Sequence, residues 1–299
     1  MPLKRIAILP NLITLANGFC GLLAISWAVD ALTLGQADPA AFYDKLEAAC
    51  FLIFLGMVFD ALDGWVARLA RATSEFGAQL DSFSDLITFG IAPAFLAKVL
   101  IEHEGPLLGY EGNPRLHFLA AACFSILALL RLARFTLETE PDPEEHKRFR
   151  GLPSPAAAGA VTSWLWMFLI LRQPALEGEG RLQTPVGAAM DWIRAWDWSG
   201  FLAWAPPLLA LWLPALGLLM ISRIGYPHGA SLISERSSPF SALVVVVFCG
   251  FLLFLAPVPV LFVVFNGFAV WGVLRRVLGK GTKGQPPAGD LDGARGRAA

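Results

Sequence analysis

The chain of 299 residues is 56% hydrophobic and only 16% charged, with a net charge of −1. A soluble domain of this length is about half apolar and about a quarter charged, so a single aqueous core cannot hide this much apolar surface. The near-neutral balance offers no basic face to a nucleic acid, which is excluded as a partner.

Apolar runs of about 20 residues, enough to cross a bilayer, predict an all-α polytopic membrane protein. About eight spans are expected, at 8–30, 46–69, 82–101, 116–136, 154–172, 200–221, 239–256 and 259–276. The first run follows Lys4 and Arg5 as a signal peptide would. Pro10, Asn11, Thr14 and Asn17 interrupt its most apolar part and no clean cleavage site follows, so a retained helix is expected. The second and third spans turn polar at their facing ends. The longest loop, 173–198, carries Trp192, Trp196 and Trp198, which suit a membrane interface. Pro257 and Pro259 separate the last two spans with almost no loop, so seven spans is the alternative count. From Gly279 the chain is rich in Gly, Pro and charge. Residues 279–299 are expected to be a disordered tail behind a membrane domain of 1–278. The four cysteines (Cys20, Cys50, Cys123, Cys249) stand singly in apolar segments and read as small buried hydrophobes.

Basic residues set the expected orientation. With the N-terminus inside, the inner loops hold Arg68, Arg71, Arg131, Arg134, Lys147, Arg148, Arg150, Arg223 and Arg236, and the basic ends of the chain join them. The outer side holds only Lys45, Lys98, Arg115, Arg172, Arg181 and Arg194. Both termini are therefore expected in the cytoplasm.

The chemistry is concentrated in DALDGWVARLARATSEFGAQLDSFSD, residues 60–85. Asp60 and Asp63 are spaced i, i+3 at the end of the second helix. Asp81 and Asp85 are spaced i, i+4 at the start of the third. Each pair shares one helical face, and a link of about ten residues brings the two helices together antiparallel. Four facing carboxylates stay ionised only if their charge is cancelled. An all-oxygen set suits Mg²⁺ or Mn²⁺, and two such ions bridged by shared aspartates suit in-line displacement at phosphorus. Gly64, Ala67 and Gly77 clear space beside the acids for a bulky group such as a nucleotide. Arg68, one turn beyond Gly64, is placed to hold a phosphate. Ionisable groups inside spans also mark ion paths, so a divalent-cation or proton transporter is the competing reading. The clustering of the acids at one membrane edge speaks against it.

The stretch Asp60-x-x-Asp63-Gly64-x-x-Ala67-Arg68, then eight residues, then Gly77-x-x-x-Asp81-x-x-x-Asp85 resembles the signature of the CDP-alcohol phosphatidyltransferases at every fixed position. The resemblance implies a membrane enzyme that moves a phosphatidyl group from a CDP-linked lipid to an alcohol and releases CMP, acting as a homodimer. It makes Asp60, Asp63 and Asp81 metal ligands, and Asp85 both a ligand and the base that takes the acceptor's proton. It also makes Gly64, Ala67, Arg68 and Gly77 the lining of the CDP pocket. Asn11 and Thr14, in the Pro-Asn-x-x-Thr element of the first helix, and Ser74 are implied to lie near the diphosphate.

Segments 10–25, 131–135, 151–159 and 222–227 further resemble the bacterial and archaeal CDP-diacylglycerol–serine O-phosphatidyltransferases within that family. That likeness implies CDP-diacylglycerol and L-serine as substrates, and a prokaryotic cell membrane as the location. Serine's carboxylate calls for a cation, and Arg131 and Arg134, one turn apart at the inner end of the fourth span, are the candidates. Glycerol 3-phosphate and inositol phosphate are the alternative acceptors. Being phosphorylated, they would want a denser basic pocket.

Overall fold

The computed structural model describes residues 8–35, 37–70, 75–109, 112–137, 149–172, 193, 195–226, 247–248 and 250–278, with the backbone alone at 67, 70, 135, 137, 149 and 150. Helix α1 (Ile8–Leu34) turns back through a short link into α2 (Pro39–Ala70). Asp38 Oδ1 accepts the Ala40 N–H at 3.0 Å and Pro39 fills the first helical position, so α2 starts ahead of the apolar run that predicted it.

The third span is a single rod with a defect in it. It comprises α3 (Glu75–Asp85), a π-helical turn (Leu86–Ile91) and α4 (Ala92–Leu107). It begins at Glu75 rather than at residue 82, which places Asp81 and Asp85 inside the helix. Pro93 explains the π turn. It has no N–H to give, and its ring crowds the carbonyl four residues back. The ladder widens, and the Ala92 N–H bonds to the Ile87 carbonyl, five residues back.

Helices α5 (Pro114–Leu137), α6 (Ser154–Arg172), α7 (Ser199–Ile221) and α8 (Pro257–Val277) complete the bundle. Seven stretches among the described residues are long and apolar enough to span a membrane, and they match seven of the expected spans. The remaining expected span, 239–256, lies largely outside the described residues. Its end at 250–255 is helical, and the chain breaks at Ala256 before Pro257 starts α8. Most of the 173–198 loop and all of the 279–299 tail also lie outside.

Helix α6 runs through the centre, buried over nearly its whole length. Its run of small residues at 157–160 lets neighbours approach closely, and at Gly159 the Phe265 ring of α8 packs against the bare backbone. Asn266 and Glu104 are polar groups of this core that do find partners, which relieves the cost of burying them in lipid. Asn266 Nδ2 donates to the Ala160 carbonyl (3.2 Å), and its Oδ1 accepts the Trp212 indole N–H (2.9 Å). At the end away from the aspartates, Glu104 is fully buried. It accepts the Tyr43 hydroxyl at 2.5 Å and Arg172 Nε at 3.2 Å, which joins α2, α4 and α6.

One element is not helical. Strands β1 (Phe149–Arg150) and β2 (Gly225–Tyr226) pair antiparallel, Phe149 opposite Tyr226 and Arg150 opposite Gly225. Gly151 follows with φ +92°, and a Cβ there would sit 2.1 Å from the Met220 carbonyl oxygen. Buried Tyr226, its hydroxyl pushed up to about 12 by burial, donates to the Ala269 carbonyl at 3.1 Å. The GLPSP and SRIGYP segments thus form a clasp that ties the start of α6 to the end of α7 and to α8.

Candidate active site

Three helix ends converge on the acidic stretch: the N-terminal half of α1, the C-terminal end of α2 and the start of α3. Helix α1 presents Asn11, Thr14, Asn17, Gly18 and Gly21 on its buried face, a spacing of three or four residues that follows the helical period. Thr14 Oγ1 donates to Asp63 Oδ2 at 2.7 Å, and Asn17 Nδ2 donates to Asp85 Oδ1 at 3.1 Å. Thr88, in the π turn, returns its hydroxyl to the Asn17 carbonyl at 2.9 Å. Glycines permit this closeness. A Cβ at Gly21 would lie 2.6 Å from Thr88 Oγ1, and one at Gly56 would lie 2.6 Å from Thr88 Cγ2.

Asp60, Asp63 and Asp81 come together as the spacing predicts. Each offers a carboxylate oxygen, and the three lie within 4.8 Å of one another. Asp81 Oδ1 is buried with no hydrogen-bond partner among the described residues, and Asn11 Nδ2, on the buried face of α1 one turn before Thr14, is in the same condition. Carboxylate oxygens this close on half-buried and buried residues, one of them a buried atom without a donor, fit a divalent cation, and a hard all-oxygen donor set is what Mg²⁺ or Mn²⁺ takes. Asp85 is not part of that three-oxygen cluster. It lies one turn deeper on α3, buried and turned toward Asn17, although within electrostatic reach of Asp60 and Asp81.

The remaining expected residues divide. Among the described residues a Cβ at Gly64 would touch only the Arg68 guanidinium, at 3.6 Å, which leaves space beside the acids. Arg68 is exposed and Gly77 half-buried at the same end. Ser74 and the side chain of Ala67 lie outside the described residues. Arg131 is half-buried and within electrostatic reach of Asp85, with Nη1 donating to Ser154 Oγ at 3.1 Å and Nε buried without a partner among the described residues. Arg134, one turn on, is also half-buried.

Asn17, Ser84 and Thr88 were not singled out from the sequence as site residues. The signal for Asn17 was present, in that it continues the Asn11–Thr14 face by one more turn. Thr88 carried none, because its role depends on the π turn.

The family model described as CDP-alcohol phosphatidyltransferase matches residues 7–198. A CDP-diacylglycerol–serine O-phosphatidyltransferase of Helicobacter pylori is 28% identical over 276 residues, 92% of this chain and 93% of the relative. One of Bacillus subtilis is 30% identical over 220 residues, 74% of this chain and 90% of the relative. An archaetidylserine synthase of Methanothermobacter thermautotrophicus is 34% identical over 158 residues, 52% of this chain and 57% of its own length.

Proposed function

Since this chain belongs to the CDP-alcohol phosphatidyltransferase family, we propose that it transfers the phosphatidyl group of CDP-diacylglycerol to the hydroxyl of L-serine, giving phosphatidylserine and CMP. The observation that carries the reaction is the meeting of the Asp60, Asp63 and Asp81 oxygens in a cluster that also faces the open flank of Gly64. The serine acceptor is supported by relatives of that name that align over most of both chains.

In this reading Asp60, Asp63 and Asp81, with Asp85 beside them, would hold Mg²⁺ or Mn²⁺, two ions in all, and the positive charge would offset that of the diphosphate and of the CMP leaving group. The nucleotide lies over Gly64, Ala67 and Gly77. Arg68, Asn11, Thr14 and Ser74 face its phosphates, with Asn11 Nδ2 as a donor that has no partner of its own. Arg131 receives the serine carboxylate through its free Nε edge, with Arg134 as the second cation of that pocket. Asp85 accepts the serine hydroxyl proton as the oxygen attacks the phosphorus on the lipid side, and the bond from that phosphorus to the CMP oxygen breaks. A carboxylate is a weak base for an alcohol, so alignment supplies much of the acceleration.

The enzyme is an integral membrane protein. We place both termini and the site on the cytoplasmic side of a prokaryotic cell membrane, on the strength of the basic inner loops, and take the homodimer implied by the family resemblance as its working state. Purified protein in detergent with CDP-diacylglycerol, Mn²⁺ and a panel of alcohols is expected to release CMP only with serine. Release with glycerol 3-phosphate or inositol phosphate instead would move the acceptor, and no release with any alcohol would refute the reaction.

A further inference from the structure

We propose that Asn17 is a positioning residue for Asp85: its amide fixes one carboxylate oxygen so that the other faces the reacting hydroxyl. This rests on the reading of Asp85 as the base. Asn17 is fully buried, and among the described residues it is the one side chain that donates to Asp85. Its own place is set from two sides. The Thr88 hydroxyl holds its carbonyl at 2.9 Å, and Gly56 on α2 packs so close that a Cβ there would lie 3.0 Å from Asn17 Oδ1. The Asn17 backbone is therefore pinned and its side chain is closely packed, and since Asn17 Oδ1 has no hydrogen-bond partner among the described residues, the bond to Asp85 is what orients the amide. An amide donor suits this task. It can orient a carboxylate without titrating and without contributing a second formal charge beside the acidic cluster.

The π turn belongs to the same device. It places Thr88, which is fully buried, one turn past Asp85 and against the Asn17 backbone. A regular helix through 86–91 would rotate that hydroxyl away from α1. The defect that Pro93 forces on the third span thus sets the lock on the base.

The test separates orientation from folding and from the base assignment itself. Asn17→Leu keeps the side chain's size and removes the donor. The expected result is a kcat about 10- to 100-fold lower, the range seen when an orienting partner of a site residue is lost. The KM for CDP-diacylglycerol and the calorimetric affinity for CDP with Mn²⁺ should stay within about threefold, because the nucleotide contacts are elsewhere. Thr88→Val, which loses only the hydroxyl, should show the same kcat-specific loss in weaker form, and it stands in should Asn17→Leu not fold. A kcat unchanged in both variants overturns the proposal. So does a loss of CDP affinity that matches the loss of kcat, since that is what a merely structural residue gives. Asp85→Asn run alongside is expected to abolish turnover while CDP still binds; if it stays active, the base assignment fails and this inference with it.

Discussion

Gly21→Ala offers a quantitative check on how the first helix docks at the site. The added methyl would sit 2.6 Å from Thr88 Oγ1, 2.8 Å from Thr88 Cα and 2.9 Å from Thr88 N, whereas ordinary contact begins at 3.4 Å. Two of these neighbours are backbone atoms, so rotation of a side chain gives no relief and α1 has to back away by roughly 0.5–1 Å, a strain of about 1–3 kcal/mol. The same helix carries Thr14 to Asp63 at 2.7 Å and Asn17 to Asp85 at 3.1 Å. A retreat of that size takes the Asn17 bond past the limit of about 3.5 Å at which a hydrogen bond is lost, and weakens the shorter Thr14 bond. Misplacement of reacting groups by about 1 Å costs on the order of 100-fold in rate, so kcat should fall about 10- to 100-fold. CMP release from CDP-diacylglycerol and serine measures the rate, and thermal unfolding in the same detergent measures the strain. Leu22→Ala, on the exposed face of the same helix, is the control and should change neither. Parental kcat and unfolding temperature in Gly21→Ala would refute the docking described here.

Three further outcomes are expected. Gly64→Val should leave thermal stability intact, since a Cβ there meets only the movable Arg68 guanidinium at 3.6 Å, yet raise the KM for CDP-diacylglycerol about tenfold or more by filling the nucleotide's space. Mn²⁺ with CDP should raise the unfolding temperature, about 2.7 kcal/mol of stabilisation at 100 times Kd, and Asp81→Asn should abolish the shift; an unchanged shift would remove Asp81 from the metal site. Glu104→Ala strips a buried charge from Arg172 and Tyr43 and should cost about 3 kcal/mol in stability. Its kcat at permissive temperature should stay within about twofold, since the group sits at the opposite end of the bundle.

The shortfalls of sequence reading fall where contacts join distant segments. The apolar runs gave the spans because a bilayer imposes one length on every helix, and the break between the last two followed from Pro257 and Pro259. The start of the third span was misplaced because Glu75, Gln79 and Asp81 interrupt the apolar pattern, and a hydropathy pattern cannot tell a helix that continues beyond the apolar layer from a loop. The clasp of Phe149–Arg150 with Gly225–Tyr226 left no mark, since two-residue strands carry no periodicity to read.

The four aspartates show the division most clearly. Their phasing and a close oxygen cluster able to hold a divalent cation were legible, because helical spacing is a local property of about 3.6 residues per turn. What the sequence could not supply was the difference among them. Asp60, Asp63 and Asp81 share a cluster while Asp85 turns to Asn17, a partner 68 residues away. That separation depends on α1 packing glycine-close against a π turn, and packing between helices is decided by the shapes they present to one another in three dimensions.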